Sequence, residues 1–272
     1  YRKMKIFLAL SFAVLFTLNA AAQSPSKVLK QAEKALGGRN ALVSVRTQKS
    51  SGTIRRVSDG VGGKYLSQSS QPNLLNIAYD LDGFEAEYGS NGRSGWMRNS
   101  RDGLQTLTGD ASIEFQAMAA FRNGLWLNAK KDKAKLVSGG RAVVNGKPAD
   151  VVTIITAKGI AIKVYFDAVT GLPVRDEMPD GGRTRITDYA DYRNVRGTMQ
   201  PFAIRFTAGG ETFDVAISNV EIDRPADRAE FDFPSVSGEP LPDIKALLEE
   251  LRANEDRVEE LLDSYSYTQK SI

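Results

Sequence analysis

Neither cysteine nor histidine occurs anywhere in the 272 residues. Without cysteine no disulfide can hold the fold in an oxidising compartment, and the chain is long enough to do without one. Without either residue the Ser-His-Asp and Cys-His nucleophile systems are excluded, and so are zinc sites of the common His/Cys type. No metal or other cofactor is expected. An enzyme built on this chain would have to work with carboxylates, lysine, tyrosine or serine alone. Long apolar runs are scarce as well. The one that stands out, Ile6–Leu18, is thirteen residues, short of the roughly 20 needed to span a bilayer. Lys3 and Lys5 precede it and Asn19-Ala20-Ala21-Ala22-Gln23 follows. With Met4 read as the start, this is the layout of a secretory signal peptide over residues 1–22, cleaved after Ala22. No cysteine follows the cut, so the mature protein is expected to be exported, periplasmic, soluble and not lipidated.

Net charge is the third scarcity. The formal value is +3, but Arg2, Lys3 and Lys5 lie in the leader, and their removal leaves 33 basic against 33 acidic residues. Clustered positive charge is the electrostatic footprint of a nucleic-acid binder, so no nucleic acid is expected as a partner. The charge that remains is uneven. Residues 239–272 carry nine acidic and four basic residues, leaving the tail at −5 and the body at +5.

What the chain does have is period-two alternation. In Gly159–Asp223, Ile162, Val164 and Phe166 share one parity, as do Phe202, Ile204 and Phe206, and then Phe213, Val215 and Ile217. That period marks strands with one buried face, and Thr170-Gly171, Asp180–Gly182 and Ala208–Gly210 supply turns for an antiparallel meander. Past Ile217 the apolar residues resume at Val220 and Ile222, one position out of step. A bulge near Ser218-Asn219 would return both groups to the inner face and bend the strand. Residues 47–108 read as five or six further strands broken by Asp-Gly and Asn-Gly pairs. Strands resume after residue 133, with a tight turn at Asn145-Gly146, and Val151–Ile155 is apolar on both parities, as in a strand covered on both faces.

Helical spacing appears in three places. Val28, Leu29, Ala32, Ala35 and Leu36 form a stripe over 26–36, with Ser26 read as the N-cap and Gly37-Gly38 as the stop. Residues 109–121 carry strong helix formers around Ile113, Met118 and Phe121, and Asn123–Lys133 reads as a loop. After the linker that follows Phe233-Pro234, Ile244, Leu248, Leu251, Val258, Leu262 and Tyr265 recur at three- and four-residue spacing, a coiled-coil-like seam broken by Glu255. This suits packing on its own domain, pairing with another helix, or a link to something larger. The final SYSYTQKSI does not read as a finished terminus. The domain reading is therefore a leader (1–22), a main domain (23–238) and an amphipathic C-terminal helix (239–272).

The pattern YFDAVTGLPVR…YRNV.GTMQPF.IRF…ISNVEID….FDFP, with the preceding helix ending in ALGG and the YDLDG…GWMRNS segment, resembles the LolA/LolB-type lipoprotein carriers. Their wider relatives, the LppX-like and RseB-like periplasmic proteins, share it. The resemblance covers roughly residues 27–234. It implies an α+β, mostly antiparallel β fold: a strongly curved, half-open β-barrel with helices covering its concave face. It also implies an apolar cavity that accepts acyl chains. Lacking a lipobox cysteine, the chain departs from the membrane-anchored LolB type.

On that reading the cavity wall comprises Trp96, Trp126, Ile162, Val164, Phe166, Phe202, Ile204, Phe206, Phe213, Val215 and Ile217. For each tryptophan the core reading outweighs ligand contact, since aromatics dominate cores, and the row from Phe202 to Ile217 could line a cavity or fill one. Tyr165, Tyr189 and Tyr192 either edge a mouth or decorate strand surfaces. Asp80, Asp82, Glu85 and Glu87 form a dense acidic group. It lacks the spacing and closing glutamate of a calcium loop, and it suits a solvated hairpin better than a two-carboxylate hydrolase. The expected function is thus non-catalytic, with lipid or the acyl chains of lipoproteins as ligand, in a carrier or sensor of the cell envelope. The alternative is a regulatory or assembly module that recruits an envelope protein through residues 243–263.

Overall fold

The computed structural model describes residues 23–234 and 244–264. The leader, the 238/239 boundary and residues 265–272 lie outside them. Two compact units divide at Phe233/Pro234. In the first, thirteen strands form one antiparallel sheet. One arm runs β1 (Thr47–Arg56), β2 (Gly62–Ser70), β3 (Leu74–Leu81), β4 (Phe84–Asn91), β5 (Gly95–Asn99) and β6 (Gly103–Leu107). The other runs β7 (Lys135–Val144), β8 (Lys147–Ile155), β9 (Ala161–Asp167), β10 (Pro173–Asp180), β11 (Arg183–Val195), β12 (Thr198–Ala208) and β13 (Glu211–Ile222). Each arm is a meander of sequence neighbours, and β1 joins β13 to make them one sheet with β6 and β7 at its edges. The curved half-open barrel is therefore the observed architecture.

The bulge lies where the alternation slips. Gly52 faces Ile217 and Ser51 faces Asn219, so Ser218 is the extra residue and Val220 returns to the face of Ile217. The curl around this seam is tight. Tyr79 and Phe213 stand three strands apart, about 14 Å along a flat sheet at the usual spacing, yet their ring centroids are 6.0 Å apart. Two glycines on the inner parity allow it. A Cβ on Gly52 would sit 2.1 Å from the Ala216 carbonyl oxygen, and one on Gly63 only 1.8 Å from that of Asp80.

The helices follow from their caps and stripes. α1 (Pro25–Ala35) starts behind Ser24, with Pro25 in the first turn, not behind Ser26 as the sequence suggested; proline's fixed φ suits that first turn. It buries Val28, Leu29 and Ala32 against β7 and β8. A short helix not apparent from the sequence, α2 (Arg39–Ser44), follows Gly37-Gly38 and buries none of its residues. α3 (Gly109–Arg122) leaves the β6 edge and lies over β3, β4, β5 and β10. The segment after it contains a 3-10 turn, Leu125–Asn128, before the chain enters β7 at the other edge.

Two apolar clusters result. The first joins α1 and α3 to Val152, Ile154, Ile162, Val164, Phe166, Met178 and Leu75. The second has no helical residue: Ile54, Leu81, Phe202, Phe206, Phe213, Val215 and Ile217 pack on one another, with Ile204, Tyr65 and Tyr79 against them. On the outer face Arg55 and Arg205 both pair with Asp214, at 3.0 and 2.6 Å, and Arg175 with Asp188 at 2.6 Å. Exposed pairs of this kind contribute only about 0–1 kcal/mol each. Val151 and Val152 are both buried, so β8 is covered on both faces there.

In the second unit α4 (Ile244–Ser264) leaves Leu248, Leu251 and Val258 about half exposed. No helix among the described residues is long and apolar enough to cross a membrane.

Candidate functional site: a cavity beneath the helices

The concave face is hollow where the helices bridge it. A cavity of about 250 Å³ lies between α1, α2, the α3 terminus and the ends of β9 to β12. Its apolar lining includes Leu36, Leu42, Val45, Phe121, Trp126, Leu127, Val164 and Phe166; Gln48, Ser69, Gln71, Tyr189 and Tyr192 supply neutral polar groups. Its position follows from local constraints. The Met199 amide donates to the Leu36 carbonyl at 3.0 Å, pinning the end of α1 to β12. Gly37 then passes so close to β12 that a Cβ would lie 2.1 Å from the Gly197 carbonyl oxygen, at a φ of 118°. Only glycine tolerates both conditions. On the far side, Asn123 closes α3 by donating its Nδ2 to the Leu74 carbonyl at 2.9 Å and to that of Ala119 at 2.8 Å. A second hollow of about 410 Å³ lies beyond this corner and shares Gln71, Asn123 and Gly124 with the first.

A buried polar group holds the floor. Arg122, in the last turn of α3, donates to Asp176 Oδ2 on β10 at 2.8 Å and to the Tyr189 hydroxyl on β11. Tyr189 in turn donates to Asp176, and Thr187 Oγ1 lies 3.4 Å from Arg122 Nη2. The Asp176 side chain is fully buried. Burial pulls the Arg122 pKa down, but the Asp176 charge, with Tyr189, outweighs it and holds the value above that of a free arginine. Burial raises Tyr189 well above its ordinary value, with Asp176 adding to the rise and Arg122 opposing it. Burial also raises Tyr192, whose hydroxyl donates to the Pro173 carbonyl at 2.8 Å. Near neutral pH the cavity floor therefore holds the Arg122–Asp176 ion pair and neutral phenols, and neither tyrosine is poised for general base chemistry.

The residues proposed as cavity wall separate into three places. Trp126, Val164 and Phe166 line the cavity. Ile162 belongs to the same cluster but is fully buried in it. Phe202, Ile204, Phe206, Phe213, Val215 and Ile217 share the concave face but fill the second cluster, where aromatic contacts such as Phe206–Phe213 (centroids 5.1 Å) leave them packed on one another. Trp96 is a correction. It faces Gly89 across the β4–β5 pair, on the parity opposite Tyr88, and so lies on the convex face. A Cβ on Gly89 would meet the indole at 2.1 Å, so the ring lies flush against the strand. Its Nε1 donates to the Phe231 carbonyl at 3.1 Å, and the Asn76 amide donates to that of Glu230 at 2.9 Å. The chain after β13 thus crosses the outer face and seals Trp96 in.

Tyr189 and Tyr192 reach the cavity, whereas Tyr165 pairs with Arg175 and Val151 on the outer parity. The acidic group is a solvated hairpin. Asp80 accepts from the Gly83 amide at 2.9 Å, Asp82 takes the positive φ of the turn, and Glu87 pairs with Arg98 at 2.6 Å. Among the described residues no cluster of three metal-ligating side chains occurs. Arg122 and Asp176 were not singled out from sequence. A signal existed: Asp176 falls on the inward parity of β10 with Met178, and an inward carboxylate requires a partner.

No family model matches the sequence, and the search of curated proteins returns no relative. Solved structures do match. A DUF1329 family protein from Desulfovibrio piger superposes with a TM-score of 0.52 at 14% identity, covering 77% of this chain and 98% of the other. A LolA superfamily protein from Nitrosomonas europaea does so with a TM-score of 0.50 at 16% identity, covering 78% and 98%. The fold is LolA-like. At these identities the likeness concerns the fold, and the sites must be argued from this chain's own residues.

Proposed function

We propose that this LolA-like protein is an exported, non-catalytic binder of lipid or of the acyl chains of lipoproteins, acting as carrier or sensor in the cell envelope. The observation that carries the reading is the cavity between helices and curved sheet, walled by Leu42, Phe121, Trp126, Val164 and Phe166. Each methylene moved from water into such a site contributes about 0.8 kcal/mol. At about 250 Å³ the cavity lies just under the usual range for small-molecule sites, roughly 300–1,000 Å³. It therefore takes part of one chain as it stands. Further room is expected at α2, none of whose residues is fully buried. The absence of histidine and cysteine and the neutral state of Tyr189 and Tyr192 support binding over chemistry. The test is native mass spectrometry of the purified protein, delipidated and then re-exposed to lipids. Retained lipid, displaceable by a fluorescent fatty acid, is the expected result. No retention and no displacement would sink the reading.

A second reading has its own observation. Leu248, Leu251 and Val258 are about half exposed on α4, as a helix awaiting a protein partner would leave them. Deleting residues 239–272 separates the two. A carrier keeps its ligand, while an assembly module loses its partner in a pull-down from envelope extract.

A further inference from the structure

The charged side chains that line the cavity itself have one sign, while the Asp176 carboxylate lies beneath them, paired with Arg122. The lining includes two arginines, Arg46 and Arg122, and no aspartate or glutamate. Arg122 is committed, since its guanidinium is held by Asp176, Tyr189 and Thr187. Arg46 is not. It stands between α2 and β1, exposed, and its Nη1 donates only to the neutral Gln71 side chain, at a long 3.4 Å. The nearby carboxylate, Asp223, accepts from the Arg46 backbone amide at 2.8 Å, and among the described residues no ion pair involves the Arg46 guanidinium. A guanidinium keeps its charge at any pH the protein meets and presents a planar fork of donors suited to carboxylate or phosphate oxygens.

Resting on the reading of the cavity as an acyl-chain site, we infer that the ligand is a single-chain amphiphile with an anionic headgroup. Its chain lies along Phe121, Trp126 and Phe166, and its carboxylate or phosphate meets Arg46 at the mouth. Gln48, Ser69 and Gln71 add neutral hydrogen-bonding groups beside it. Burial of the chain supplies the affinity, and the headgroup supplies the discrimination. A neutral lipid would leave Arg46 without a counter-charge, and an acidic lining, which would repel an anion, is missing.

The test compares dodecanoate, dodecyl phosphate and dodecanol, three ligands with one chain length, by titration against the full chain, with inorganic phosphate as a competitor. Arg46 is exposed and an exposed ion pair contributes up to about 1 kcal/mol, so both anions should bind about two- to fivefold more tightly than the alcohol. Arg46→Gln should remove that preference and leave dodecanol binding unchanged, and Arg46→Lys should restore part of it. The side chain is exposed and the backbone amide makes the Asp223 bond, so thermal melting should not move. Equal binding of all three ligands to the native protein would overturn the headgroup assignment while leaving the cavity reading intact. So would an equal loss of all three in Arg46→Gln. Inorganic phosphate that competes with dodecanoate at equal concentration would show an anion site independent of the chain, and would also overturn it. If no chain-bearing ligand binds, the cavity reading itself fails.

Discussion

The concave face has two regions built to the same rule and put to different ends. In both, alternate residues of neighbouring strands point inward. Around β12 and β13 the sheet curls onto itself at Gly52 and Gly63, and Phe206, Phe213 and Tyr79 meet across the bend. Towards β9 and β10 the sheet opens. There the inward residues are covered by α1 and α3, and the helices stand off enough to leave a cavity. Whether an inward row becomes core or wall is decided by what stands opposite it. A curled sheet supplies its own filling, whereas a propped helix leaves space and needs a polar anchor such as Arg122–Asp176 to stay in place.

Substitutions can sharpen or break this contrast. The largest effect is expected at the anchor. Asp176→Ala leaves a buried guanidinium without its counter-ion, a loss of about 3–5 kcal/mol. The double change to Arg122→Met and Asp176→Leu should cost far less, so urea unfolding of the single and double variants would reveal the coupling. If the two single losses simply add, the anchor is not a unit. Next, Phe206→Ala should destabilise by about 3–5 kcal/mol through the void it leaves, yet lipid retention by mass spectrometry should persist. Loss of binding with a normal melt would move the site into the second cluster.

A smaller and more discriminating pair adds volume. Val215→Phe overpacks a filled core and should cost about 1–3 kcal/mol. Val164→Phe points into free volume, should cost less, and should abolish acyl-chain binding. Equal costs would contradict the contrast. The smallest effect lies outside both regions. Asp167 is held below its ordinary value of 3.8, first by the Thr170 amide and then by that of Val169, against the opposing effect of burial. The depressed carboxyl stabilises the fold above the unfolded value, and this contribution disappears as pH falls through the folded one. Asp167→Asn should therefore lose that small contribution at neutral pH and flatten the acid limb of the stability profile below about pH 4, where the two proteins converge.

Strand parity carries most of what the sequence discloses about this fold. It identifies the inward rows, and its slip after Ile217 locates the bulge, because register ties side-chain face to backbone pairing. Parity is silent on depth. Nothing in the alternation of Phe202, Ile204 and Phe206 distinguishes a wall from a filling, since that depends on strands more than a hundred residues away. Trp96 was legible in principle. It alternates with Met97 in a hairpin whose partner strand places Gly89, not Tyr88, opposite it. Its size drew it toward a ligand role, and the covering segment at Phe231 could not be foreseen from local pattern. α2 is silent in the sequence because six residues with no buried stripe give no periodicity to read.

The seam between β1 and β13 bears on how the chain folds. Every other neighbouring pair in the sheet is consecutive in sequence, so each arm can assemble by successive local hairpins, events of about 1–10 μs apiece. Joining the arms is a different event. It closes a loop running from β1 to β13, whose entropic cost rises only logarithmically with length but must be met before any contact across the seam rewards it. The second cluster, which straddles that seam, is therefore expected to form late. Substitutions within it should speed unfolding more than they slow folding, while those in the hairpins of either arm should do the reverse.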